Sequence, residues 1–246
     1  MDRLIYIAMT GASQAFHQQA VTSNNLANAS TTGYKAETAA YRTAQVVGPG
    51  VPSRAYAIDT TQGADLSAGA IQRTGRDLDV AVEGDGMFAV QALDGSEAYT
   101  RAGSFKTSPE GELQTRNGLA VLGEGGPISI PQDSKISIGV DGTVSAVDLG
   151  QSAANVIVVG RLKLVNPEKA DVVRGNDGLF RTRSGNPADA DDTVKVVAGA
   201  LEDSNVNPVA TMVDMINLAR QFDLHMKVLT TADANAQRAN QLLTSG

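Results

Sequence analysis

The sequence has no cysteine and no tryptophan, and aromatic residues make up only 4% of it. Without cysteine there are no disulfides, no thiol catalysis and no cysteine-based zinc site. That composition is compatible with an oxidising space outside the cytoplasm. The shortage of aromatics argues against an aromatic-lined ligand pocket. No run of 18 apolar residues occurs, so no membrane-spanning helix is expected. The opening, Met1-Asp2-Arg3-Leu4-Ile5-Tyr6, has neither a basic leader nor a cleavage site, so no cleaved signal peptide is expected. Basic residues are also in deficit, 20 against 27 acidic for a net charge of −7. A nucleic-acid binder normally shows the opposite balance, concentrated in a patch.

Residues suited to catalysis are equally scarce. The two histidines, His17 and His225, both fall in or beside apolar helical stripes, and no G-x-S-x-G is present. Asp189, Asp191 and Asp192 cluster, but a calcium loop starting at Asp189 needs glycine and glutamate where Val194 and Ala200 stand. Glu83-Gly84-Asp85-Gly86 and Gly123-Glu124-Gly125-Gly126 lack the lysine of a phosphate-binding loop, and a strand follows each. No catalytic residue, metal or cofactor is expected, and no enzyme.

What the chain does contain is sharply divided. All eight prolines lie between Pro49 and Pro208, and only Gly11, Gly33 and Gly246 of 25 glycines fall outside residues 46–204. Helix breakers are thus confined to the middle. Charge divides the same way: residues 1–45 carry +1, residues 205–246 carry zero, and the middle carries −8.

The last segment reads as one long amphipathic helix. Asn207 can cap it and Pro208 suits its first position. Met215, Leu218, Phe222, His225, Leu229, Ala232, Ala236, Ala239 and Leu243 repeat with 3-4-3-4 spacing, and Met212, Ile216, Ala219 and Met226 widen the stripe. Such a repeat asks for a partner helix. The only comparable segment is residues 3–29, where Ile5, Ala8, Ala12 and Ala15 begin a stripe flanked by Met9, Phe16 and Leu26. Small residues along its face (Ala8, Gly11, Ala12, Ala15) permit close approach. The first helix ends in an amide-rich knot, Asn24-Asn25-Leu26-Ala27-Asn28, followed by Thr32-Gly33-Tyr34-Lys35.

The expected fold is α+β. Long N- and C-terminal helices (1–34 and 205–246) pair as a coiled coil. An extended connector (35–75), with a loop over 46–52, leads to a mainly antiparallel β domain (76–204). That domain reads as a sandwich or open barrel from short runs and turns every 8–12 residues. A lone helix pair of this kind leaves apolar flanks uncovered. The expected subunit-interface residues are therefore Ile5, Ala8, Ala12, Ala15, Asn24, Asn25, Leu26, Asn28, Met212, Met215, Ile216, Leu218, Ala219, Phe222, Met226, Leu229, Ala236 and Leu243.

Three stretches in order resemble the bacterial flagellar axial proteins of the rod and hook. The first is the Asn24–Asn28 knot with Thr32–Lys35. The second is Asp77-Leu78-Asp79-Val80-Ala81-Val82-Glu83-Gly84-Asp85-Gly86-Met87-Phe88 with Tyr99-Thr100-Arg101-Ala102-Gly103-Ser104-Phe105. The third is Gly199-Ala200-Leu201-Glu202-Asp203-Ser204-Asn205-Val206 with Met215-Ile216 and Arg220-Gln221-Phe222. The opening residues and the length are most similar to the proximal-rod type, with a distal-rod or hook-type protein as the alternative. The resemblance implies a structural subunit exported by the flagellar type III apparatus. It would polymerise with other rod proteins and itself into a hollow periplasmic shaft that transmits torque. An extracellular, oligomeric β-domain binding protein is a remoter reading.

Overall fold

The computed structural model describes residues 2–45, 55–59, 63–131, 134–148 and 156–244. The loop expected over 46–52 lies outside them. The chain separates into two compact units: residues 1–28 with 37–63 and 206–246, and residues 29–36 with 64–205.

The first unit is built on two helices, α1 (Asp2–Ala27) and α2 (Pro208–Thr244). The start of α2 is set by its cap: Asn207 Oδ1 accepts the N–H groups of Val209 and Ala210, both at 3.1 Å. These would otherwise be orphan donors of the first turn. No proline or glycine interrupts the 37 residues of α2, so nothing stops the helix before the chain's last residues. The two helices pack antiparallel. Gly11 of α1 faces His225 of α2, and residues 18–25 share a groove with residues 214–221. A Cβ at Gly11 would stand 2.5 Å from the His225 ring; the glycine is what lets the imidazole lie across α1. A short antiparallel ribbon, Tyr41–Gln45 with Ala55–Asp59, belongs to the same unit.

Among its described residues the second unit is all β apart from one 3₁₀ turn, and every strand pairing in them is antiparallel. It is not one sandwich or barrel. Its largest sheet has five strands in the order Leu164–Val165, Met87–Gln91, Glu97–Thr100, Phe180–Thr182, Val172–Arg174; a three-stranded sheet (Ser134–Ile138, Thr143–Asp148, Val156–Arg161) and several two-stranded ribbons surround it. The reason lies in strand length. Most strands run only two to five residues before a glycine or proline turn ends them, too short to register into two broad sheets. The run Tyr99–Phe105 shows this directly. Its pairing breaks off after Thr100 and resumes at Ser104 and Phe105, and between them Gly103 passes so close to Val80 that a Cβ would lie 1.7 Å from its carbonyl oxygen.

The continuous apolar run Met87-Phe88-Ala89-Val90 is explained by burial on both faces. Phe88 joins a cluster with Val80, Val82, Phe105, Leu113 and Val196. Met87 and Ala89 join another with Tyr99, Val165 and Phe180. The Phe88 and Phe105 rings meet edge to face with centroids 5.2 Å apart, a favoured aromatic geometry.

Candidate subunit interface

The expected interface residues fall into two classes. Ala8, Ala12 and Ala15 are buried, Ile5 is half-buried, and on α2 the row Met215, Leu218, Phe222, His225, Leu229, Ala232 and Ala236 is buried or half-buried. This 3-4-3-4 row is the seam between the two helices. Ala219 and Leu26 are half-buried as well. Met212, Ile216 and Met226 do not widen the seam: they are 51%, 55% and 42% exposed. The side chain of Leu243 lies outside the described residues.

At 100° per residue, Val209, Val213, Ile216 and Leu224 lie on the far side of α2 from the seam and Met212 on its flank, and all are exposed. The helix therefore has two apolar faces, one covered by α1 and one open. On α1 the exposed Tyr6, Met9 and Phe16 form an arc beside the seam. Val209, Val213, Leu224, Tyr6, Met9 and Phe16 are not among the residues expected at an interface from the sequence; on α2 the far-side row was obscured by interleaved charges such as Asp214 and Asp223.

The amide knot has a local job. Asn25 mimics a strand edge: its Nδ2 donates to Glu37 O (2.9 Å) and its Oδ1 accepts the Glu37 N–H (2.8 Å). Asn28 bonds back to Asn24 through its side-chain amide (2.8 Å). Beside them lies a groove of about 420 Å³, lined mostly by polar residues including Gln18, Thr22, Asn25, Glu37, Asp214 and Gln221. It lacks the apolar walls of a small-molecule pocket.

The three motif stretches meet inside the second unit, at a buried ionic cluster. The Glu202 carboxylate accepts from Lys35 Nζ (2.6 Å), Arg101 Nη1 (2.8 Å) and the Gly69 N–H (2.8 Å). All three charged side chains are at most 2% exposed. Lys35 also donates to Ser67 O, and Arg101 to Gly84 O, both at 2.6 Å. Burial holds the Lys35 ammonium below its ordinary value of 10.5, against the opposing pull of Glu202. Gly33, with φ +67°, sits against the Arg101 backbone, where a Cβ would come within 2.3 Å. Arg174 stacks over the Tyr34 ring at 4.6 Å and donates to Lys35 O.

Nothing in the acidic loop resembles a metal centre. Asp191 caps its own turn through Thr193, and Asp192 pairs with Arg161. Among the described residues no three His, Asp or Glu side chains gather as metal ligands, and no helix is long and apolar enough to cross a membrane.

Comparison with known proteins finds matches in three separate parts of the chain. Residues 5–35 match the family "flagella basal body rod protein", residues 81–146 the "flagellar hook protein FlgE/F/G D1 domain" and residues 197–242 the "flagellar basal body rod FlgEFG protein C-terminal". The chain is 49% identical to the flagellar basal-body rod protein FlgF of Escherichia coli K12 over 250 residues, covering 99% of each chain. It is 48% identical to the FlgF protein of Salmonella typhimurium LT2, again over 99% of each. Identity to the rod protein FlgG of Agrobacterium fabrum is 34%, over 95% of this chain and 97% of that one. With full-length identity of this order and all three family segments in sequence order, the chain belongs to the FlgF family of flagellar basal-body rod proteins.

Proposed function

We propose that this chain polymerises helically, head to tail, in the proximal part of the flagellar rod, with its helices forming the inner wall of a hollow shaft that transmits torque. As a member of its family it is a structural subunit of the basal-body rod and not an enzyme. The observation that carries the assembly reading is the second apolar face of α2, made by Val209, Val213, Ile216 and Leu224. A helix apolar on opposite sides belongs in the interior of something larger than one helix pair. Its neighbours are other rod proteins and further copies of itself, and contacts of this head-to-tail kind do not close on a two-fold axis. Coiled-coil supercoiling of α1 on α2, export by the flagellar type III apparatus and residence in the periplasm are parts of the same proposal.

The test is genetic and structural together. A strain lacking the chain should be non-motile and stop before the distal rod; normal filaments there would overturn the proposal. Complementing with Val213→Asp/Ile216→Asp should fail to restore motility. The purified double variant should keep the parent's melting temperature within a few degrees, because both side chains are already exposed.

A further inference from the structure

The chain crosses the boundary of the β unit at four places: once on entering at Ala29, and at three further exits, after Ala36, before Ala64 and after Asn205. One side chain reaches all three exits. Asn205 Oδ1 accepts the N–H of Ala36 at 2.8 Å. Its Nδ2 donates to Asp65 O at 2.8 Å and to Ser67 O at 3.2 Å. Its backbone N–H donates to Tyr34 O at 3.3 Å. Behind it, the Lys35–Glu202 pair repeats the pattern: Lys35 comes from the first exit, Glu202 from the third, and both bond to the second through Ser67 O and the Gly69 N–H. Gly69 passes so close to the third exit that a Cβ would sit 2.0 Å from Asp203 O.

These bonds matter because the local sheet is weak. The last strand before α2, Ala200–Glu202, pairs with only three residues, Ile71–Arg73. A pull on the chain beyond Asn205 would open that ribbon one hydrogen bond at a time. Bonds that tie all three exits to one another must instead break together. We infer that Asn205 and the Lys35–Glu202 pair are positioning residues that bind the three exits into a collar, which keeps load on the connecting segments from peeling strands off the β unit. The load-bearing half of this inference rests on the rod function proposed above; the collar itself does not.

Asn205→Ala separates the collar from ordinary core stability, since Asn205 is half-exposed and carries no charge. Hydrogen exchange on the full-length chain should show the Ala36 and Asp65 amides exchanging about tenfold faster, while Val80 to Val82 in the core keep their protection. Cells carrying only this variant should swim like the parent in dilute medium and lose speed more steeply as viscosity rises. Lys35→Met gives a second variant with the same readouts should the first fail to fold. Unchanged exchange at the exits, or exchange that rises equally in the core, would overturn the collar. Opened exits with parental swimming at every viscosity, or with speed reduced by the same fraction at all of them, would overturn its load-bearing role. If a strain lacking the chain entirely still builds rods, the rod function fails instead, and the exchange result stands apart from it.

Discussion

Glu202 is the one carboxylate between two buried cations, and its neighbours respond unequally to substitution. In Glu202→Gln, Lys35 and Arg101 face each other without a counter-ion in a site at most 2% exposed. Leaving a buried charge uncompensated costs on the order of 3–5 kcal/mol. Lys35→Met leaves the Arg101–Glu202 pair intact and should cost less; denaturant melts of the β unit should rank the two in that order. Folding depresses the Lys35 pKa, so the folded state holds fewer protons than the unfolded one between the depressed value and 10.5. That group therefore adds stability as pH rises through this window. Tyr99 runs the other way. Burial pushes its phenol from 10.0 up to about 12 while the hydroxyl accepts the Ala188 N–H and donates to Glu97. Its contribution is complete below pH 10 and is lost as pH climbs toward 12. Tyrosinate absorbance should show Tyr99 titrating late, ionising with unfolding near pH 12, and Tyr99→Phe should flatten that loss. None of these partnerships could be read from spacing. Lys35 and Glu202 stand 167 positions apart, and only the fold makes them neighbours.

The helices were the most legible elements because their signals are local. Asn207 and Pro208 mark the start of α2, and the 3-4-3-4 row marks its covered face. Asn207→Ala removes an acceptor for two N–H groups and should lower helix stability by about 1 kcal/mol, read from thermal melts followed by circular dichroism. What periodicity could not supply was the identity of the covered side. Met212 and Ile216 are as apolar as the seam residues, and only packing shows that they lie outside it. Gly11 offers a check on the seam itself. Gly11→Val should push the His225 ring aside and loosen the helix pair. His225→Ala in the same chain should recover most of the loss, a coupling that a double-mutant cycle measures. Strands were legible where a turn pair such as Asp94-Gly95 or Asn117-Gly118 flanked them. The strand Ala200–Glu202 carries no such signal, since its pattern is short and its partner Ile71–Arg73 lies on the surface.

For the molecule as a whole, two forces oppose each other in the assembly proposed above. Every copy carries a net charge of −7, which resists the approach of the next copy at low ionic strength. The open face of α2, with Val213, Ile216 and Leu224 each more than half exposed, favours association through apolar burial, which salt does not screen. The two terms predict an unusual salt response. Sodium chloride should promote association of the purified chain by screening the repulsion within a Debye length of about 10 Å at 0.1 M. Sulfate, which also strengthens apolar burial, should promote it further at equal ionic strength. An assembly held by ion pairs would do the reverse and dissociate as salt rises. Sedimentation velocity across both salt series separates these cases. Ile216→Asp supplies the control: it should abolish the sulfate effect, because it adds a charge at the centre of the face whose burial sulfate strengthens.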